Sequence, residues 1–214
     1  MAHLYVLDLH PLENGRWRDL LAELPDHRQQ KALSCRFPAD QARSAGAGWL
    51  LQYALLQAGI PVTQQHFSKT ELGKPYLEEH PDIHFSLSHS GNWAVCAVSC
   101  DPVGVDVELP RCTLDIGKRF FRPEELEGLD ALPHLLCRDQ LNRLWTAKES
   151  FVKALGGGLT IALNSFSIRL QEDRADLIQD LSPLPYRLHE YRADPSRICL
   201  CTTEDRPEPI FVRP

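Results

Sequence analysis

Residues Trp93–Glu108 read "WAVCAVSCDPVGVDVE", and the rest of the chain can be read outward from them. Trp93–Val98 is the return arm of a hairpin whose first arm lies in "HFSLSHSGN". There Phe85 and Leu87 alternate with small polar residues, and Ser90-Gly91-Asn92 makes the turn. Asp101-Pro102 breaks the run. Gly104–Glu108 then reads as a second strand, with Val105 and Val107 on one face and Asp106 and Glu108 on the other. Val103 and Leu109 extend the apolar face, so that side is expected to be buried. The two carboxylates stand ~7 Å apart along the strand. Near a core they are unfavourable unless a cation sits between them. Val95–Ser99 ("VCAVS") has an echo in Ile198–Thr202 ("ICLCT"), about half the chain later, each after an alternating segment, at Phe85 and at Tyr186. Two similar α+β lobes joined near Asp101–Val103 would leave this trace. The expected division is therefore 1–102 and 103–214, with a ligand site in the cleft between the lobes.

The composition is that of an ordinary globular protein: 214 residues, 43% hydrophobic and 24% charged. A net charge of −6 gives no general electrostatic case for nucleic acid or an anionic membrane, and neither is expected as a partner. An acidic protein that binds a polyanion needs a local basic cluster or a metal. Of the seven cysteines, Cys96/Cys100 and Cys199/Cys201 are close pairs, but neither has C-x-x-C spacing. They read as small buried residues on strands in a reducing cytosol, with a four-thiolate site as the alternative. The N-terminal "MAHLYVLDLH" reads as a strand with Tyr5, Leu7 and Leu9 on one face. It lacks a basic segment followed by an apolar one, and no run approaches the ~20 apolar residues of a membrane span. A cytoplasmic protein is expected.

Residues 16–36 look helical, with a break near Pro25. Asp40 is placed to cap a helix over Gln41–Ala58, which Gly59-Ile60-Pro61 stops. A longer helix is expected over Asp139–Leu155, ended by Gly156-Gly157-Gly158. On its wheel Leu141, Leu144, Trp145, Phe151, Val152 and Leu155 form one apolar stripe. Lys148 falls near the middle of that stripe, Glu149 on its edge, and Lys153 one turn beyond Glu149. A lysine facing a core is rare unless it snorkels or meets an anion, and a bound phosphate would satisfy it. Glu149 and Lys153 alone could equally be a surface ion pair. Asp106, Glu108 and Glu149 together make a hard oxygen set suited to Mg²⁺ or Mn²⁺, an ion commonly shared with substrate phosphates. Further anion-binding candidates are Lys74 in "GKPY", His89 beside Ser88 and Ser90, and Arg28, Lys31 and Arg43 on or near the first helices. Each has an ordinary surface role as its alternative. "GGGL" follows Lys153 and lacks G-K-[ST], so it reads as a helix terminator and not a P-loop.

These residues resemble the surfactin-synthetase-activating (Sfp) type of 4′-phosphopantetheinyl transferase. That family carries G-[IV]-D and, roughly forty residues later, [FW]-[SCT]-x-K-E-[AS]-x-x-K. Gly104-Val105-Asp106 and Trp145–Lys153 fill every fixed position. "GKPY", "HFSLSHSGNWAVCAV", "KRFFRPEE" and "GGGLTIALNSFSI" extend the similarity in collinear order over most of the chain. The resemblance implies an α+β fold of two similar lobes related by a pseudo-twofold axis. It implies transfer of the phosphopantetheine arm of coenzyme A to a serine of an apo acyl, peptidyl or aryl carrier protein, as in fatty-acid, polyketide or nonribosomal-peptide synthesis. Adenosine 3′,5′-bisphosphate would be released. By the same resemblance Asp106, Glu108 and Glu149 hold Mg²⁺, Glu149 is the general base, and Lys148 and Lys153 bind pyrophosphate, with Lys153 helping the leaving group. Lys74, Ser88, His89, Arg43, Lys31 and Arg28 contact coenzyme A; lysine is common in the family where Arg28 stands. Glu125 matches a family acid without an assigned role. Carrier contact is expected between the two motifs, through Phe120, Phe121 and Leu126, and a monomeric pseudo-dimer is expected. The alternatives are a module that binds coenzyme A or a carrier without turnover, and a metal-dependent phosphohydrolase.

Overall fold

Two similar runs, each a strand, then helices, a short strand pair and a long strand pair, make up the computed structural model, which describes residues 1–214, the side chains of Glu13, Asn14 and Leu159 excepted. The first unit runs β1 (His3–Asp8), α1 (Trp17–Ala22), α2 (Asp26–Leu33), α3 (Pro38–Gln57), β2 (Phe67–Lys69), β3 (Pro75–Leu77), β4 (His84–Ser90) and β5 (Trp93–Ser99). The second runs β6 (Gly104–Glu108), α4 (Leu114–Phe120), α5 (His134–Leu155), β7 (Ser167–Leu170), β8 (Ala175–Ile178), β9 (Arg187–Ala193) and β10 (Ser196–Thr202), before a last strand β11 (Pro209–Val212). One sheet has the order β11-β1-β5-β4 and the other β6-β10-β9. In each the last long strand is central and antiparallel to both neighbours: β5 between β1 and β4, β10 between β6 and β9. The antiparallel pairs β2-β3 and β7-β8 repeat the correspondence. The "VCAVS"/"ICLCT" echo lies on the two central strands. β11 departs from the symmetry, crossing back to pair parallel with β1.

Strand alternation sorts the apolar residues into three cores. Tyr5, Leu7, Ala94, Cys96 and Val98 face Leu50, Leu51, Ala54 and Leu55 of α3. Cys199 and Cys201 face Leu144, Ala147 and Phe151 of α5. The intervening residues form the central core: Leu4, Val6, Val95 and Ala97 from the first sheet, and Val105, Val107, Ile198 and Leu200 from the second. Burial of each such Val, Leu or Phe contributes about 1.5–3 kcal/mol. The cysteine pairs thus lie in different cores, with Cys100 exposed, so among the described residues no four-thiolate site forms. Cys112 and Cys137 are buried off the strands, in the α5 core.

Two helix starts differ from the sequence reading. α3 begins at Pro38, with Phe37 at the N-cap; proline suits the first helical position, where its missing N–H costs nothing. Asp40 falls inside the first turn and pairs with Arg43. α5 begins at His134 after Pro133, five residues before Asp139; Leu135 and Leu136 of its first turn are exposed and lie off the buried stripe from which the helix is read. Among the described residues, no helix is long and apolar enough to cross a membrane.

Candidate active site

Gly104 sets how closely β6 and α5 approach. A Cβ there would lie 3.0 Å from the Ala154 Cα and nearer still to the Ser150 carbonyl oxygen and the Ala154 nitrogen, so only glycine admits the helix. The close approach puts Asp106, on the α5 side of the strand, against Lys153, whose Nζ donates to Asp106 Oδ1 at 2.7 Å. Asp106 is 6% exposed, and among the described residues its Oδ2 has no hydrogen-bond partner although it is buried. Glu149 stands half-buried one turn before Lys153. Desolvation, then the charges of Asp106 and Glu108, push its carboxyl pKa up, against the lowering pull of Lys153. Three acids and one cation therefore share one local field.

A ladder of hydroxyls on β4 fixes this strip from the other half. Ser86, Ser88 and Ser90 recur with period two and face β6. Ser86 Oγ accepts the Val105 N–H at 2.9 Å, Ser88 Oγ donates to Asp106 Oδ1 at 2.7 Å, and Ser90 Oγ donates to Glu108 Oε1. Asn142 Nδ2 donates to the Glu108 carbonyl at 3.0 Å and ties the end of β6 to α5. Ser86 as a register device and Ser90 as the Glu108 anchor were not assigned from sequence. Their signal was present in "SLSHS", whose serine period matches that of Asp106 and Glu108.

Opposite the acids lies a basic set. The His89 imidazole pKa is pushed down by desolvation, then by Arg43, Lys153 and Lys31, so cations of both halves act on one ring. The Lys31 ammonium is lowered by desolvation and then by Arg28 and Lys69. Arg28 is likewise lowered by burial, and among the described residues its guanidinium has no carboxylate partner. Lys69 joins this group unanticipated. An exposed lysine carries no positional signal until folding brings its charge within reach of Lys31.

Two lysines are otherwise employed than the sequence reading assigned. Lys148 is 0% exposed; its Nζ donates to the Leu163 and Phe166 carbonyls at 2.8 and 2.9 Å and pairs with Glu125 at 2.8 Å. All three of its donors are used inside the protein, and the ammonium lies 4.5 Å from the Phe166 ring centroid. Its anion is Glu125 and not a phosphate. Glu125 also accepts from the Ile168 and Arg122 backbone N–H groups, locking the segment after α4 to α5 and β7. Lys74 likewise spends its ammonium on three carbonyls, those of Lys153, Ala154 and Val103. Of the carrier-contact candidates, Phe121 is 4% exposed and belongs to the α5 core, whereas Phe120 is 38% exposed. Leu126 packs partly buried on the same core.

Both halves of the chain are similar to known proteins. Residues 102–201 match the 4′-phosphopantetheinyl transferase superfamily, and residues 10–101 match "4′-phosphopantetheinyl transferase, N-terminal". A 4′-phosphopantetheinyl transferase of Bacillus subtilis is 38% identical over 165 residues, covering 76% of this chain and 74% of its own. The 4′-phosphopantetheinyl transferase Sfp of Bacillus subtilis strain 168 is 40% identical over 165 residues, covering 75% and 71%. The psf-1 enzyme of Bacillus pumilus is 31% identical over 207 residues, covering 93% and 89%. With matches on both halves and relatives aligned over most of its length, the chain belongs to the 4′-phosphopantetheinyl transferase family, of the Sfp type.

Proposed function

We propose that the cleft between residues 1–102 and 103–214 moves the phosphopantetheine arm of coenzyme A to a serine of an apo acyl, peptidyl or aryl carrier protein. The reaction depends on Mg²⁺ or Mn²⁺ and releases adenosine 3′,5′-bisphosphate. The observation that carries this reading is the meeting of an acidic strip with a basic set at one ion pair, Lys153 on Asp106. A divalent ion fits the donor set. Asp106 presents a buried, unpartnered oxygen, and Glu149 is crowded by two further carboxylates, all hard donors. Among the described residues no group of three or more acids, histidines or cysteines forms a ready ion cage. Lys153 Nζ already supplies positive charge at Asp106.

Asp106, Glu108 and Glu149 are the proposed ligands, and the ion when bound would stabilise charge growing on the departing phosphate of the nucleotide. Arg28, Lys31, Arg43 and His89 receive the nucleotide's phosphates, with Ser88 beside them holding Asp106 in place. Lys153 is close enough to Asp106 to exchange between that carboxylate and a diphosphate oxygen. The carrier serine oxygen forms a bond to the attacked phosphorus, the bond from that phosphorus to the bridging diphosphate oxygen breaks, and the serine proton passes to Glu149. A bound ion would oppose the upward push that Asp106 and Glu108 give this carboxyl, so Glu149 takes the proton on the oxygen that does not hold the ion. Carrier contact is assigned to the exposed Phe120 and the half-buried Leu126 between the two motifs. One chain supplies both halves of the cleft, so a monomer suffices, and its place is the cytoplasm.

The test is incubation with coenzyme A, Mg²⁺ and a panel of apo carriers, read by carrier mass. Gain of the phosphopantetheine arm supports transfer. Saturable coenzyme A binding without gain makes the protein a binding module, and phosphate release without a carrier makes it a hydrolase. Either result overturns the proposal.

A further inference from the structure

Among the described residues, Lys74 is the one lysine of the first half whose ammonium donates to backbone carbonyls of the second. It sits in a tight turn held by Thr70 N–H to the Lys74 carbonyl at 2.9 Å and Lys74 N–H to Thr70 Oγ1 at 3.1 Å, so its starting point is fixed. From there Nζ donates to the carbonyls of Lys153 at 2.8 Å, Ala154 at 3.1 Å and Val103 at 3.3 Å. The first two belong to the last turn of α5, where carbonyls lack helical partners and the helix dipole attracts a cation. The third precedes β6. The stem crosses Gly156, which takes φ +78° at the helix end; a Cβ there would come within 2.8 Å of Lys74 Cδ. A glycine that ends the helix thus also leaves the path open for the lysine.

We infer that Lys74 is a positioning residue: an interlobe clip that caps the C-terminus of α5 from the opposite half and fixes Lys153 and Glu149 relative to Asp106. Its three bonds converge on Lys153 itself, its neighbour, and the entry to the strand that carries Asp106. A lysine that contacted the nucleotide would have to leave these carbonyls, exposing three acceptors at a helix end. The inference rests on the reading of Lys153 as a working cation of the site.

The test compares the protein with Lys74→Met, Lys153→Met and the double variant, measuring kcat and KM for coenzyme A with an apo carrier. Removal of the clip lets the end of α5 drift, and a misplacement of ~1 Å at a reacting centre costs up to about a hundredfold. Lys74→Met is therefore expected to lower kcat by about ten- to a hundredfold with KM within about twofold. The double variant is expected to lose less than the product of the two single losses, because the clip acts in part through Lys153. A raised KM at constant kcat overturns the inference in favour of a nucleotide contact. An unchanged enzyme, or additive losses in the double variant, also overturns it. Unchanged kcat in Lys153→Met is a separate failure, that of the site reading itself. If Lys74→Met lacks a cooperative melt, Lys74→Gln, which keeps a shorter donor, is measured instead, and an intermediate kcat with unchanged KM is expected. Full kcat in that variant overturns the inference.

Discussion

Replacing Gly104 by alanine adds one methyl group where β6 meets α5. Ordinary van der Waals contact begins at 3.4 Å, yet the new carbon would stand 3.0 Å from the Ala154 Cα and closer to the Ser150 oxygen and the Ala154 nitrogen. These are backbone atoms of a helix, so no side chain can swing aside. The helix must retreat as a body, by on the order of 1 Å. Overpacking of this kind costs about 1–3 kcal/mol, and a backbone clash belongs at the upper end. The Lys153–Asp106 bond, 2.7 Å long, would be stretched out of hydrogen-bond range by the same movement. The expected result in a urea titration is a loss of about 3 kcal/mol, and in the transfer assay a fall of about a hundredfold in the folded fraction. Gly59→Ala is the control: Gly59 has φ +83° with open space around it, so it should lose only the roughly 1–2 kcal/mol of left-handed backbone and keep full activity. A Gly104→Ala protein with unchanged midpoint and unchanged rate would refute the claim that this contact positions the site.

Three further outcomes are expected. Lys148→Met leaves Glu125, 1% exposed, as a buried charge without its partner, and should cost about 3–5 kcal/mol in denaturant titration. Adding Glu125→Gln, which removes the charge but keeps an acceptor for a backbone N–H, should restore much of that loss, and coenzyme A affinity should be unaffected wherever the protein folds. Ser90→Ala removes the hydroxyl that holds Glu108. It should cost about 0.5–1.5 kcal/mol and lower transfer by more than the change in folded fraction explains. Acidification should destabilise the protein through His84 and His189. Desolvation holds both imidazoles below their ordinary pKa, with Lys74 assisting at His84 and Arg206 and Arg187 at His189. Between the ordinary value near ~6.5 and the lowered folded values, the unfolded chain binds more protons. Stability is therefore retained above ~6.5 and declines as pH falls through that window. Thermal melts from neutral to acidic pH should show the decline, and His189→Gln should reduce its slope.

Much of this architecture could be read in the residues because alternation and periodicity report directly on burial. The valines of "GVDVE" do face a core, and the stripe on α5 does place Lys148 inside. The repeat of "VCAVS" in "ICLCT" marks the two central strands. What the residues left open were choices that only neighbouring elements make. A core-facing lysine needs an anion, and pattern alone gave no preference between a phosphate and a carboxylate. Glu125 supplies the anion from a segment 23 positions away, with no periodic relation to α5. Lys74 looked like a turn lysine or a ligand because its acceptors are backbone carbonyls, which sequence does not display. Phe120 and Phe121 are chemically alike, and only the end of α4 decides which of them is buried.

The central claim is that acids from β6 and α5 converge on one divalent ion in the cleft. Calorimetric titration of Mn²⁺ into the protein with coenzyme A present, but no carrier, measures this without turnover. One ion per chain is predicted, and Asp106→Asn should weaken its binding by more than the roughly 10–100-fold that follows loss of a supporting partner, while the melting transition stays cooperative. Binding of equal strength in Asp106→Asn, or no ion bound by the unaltered protein, would contradict the account.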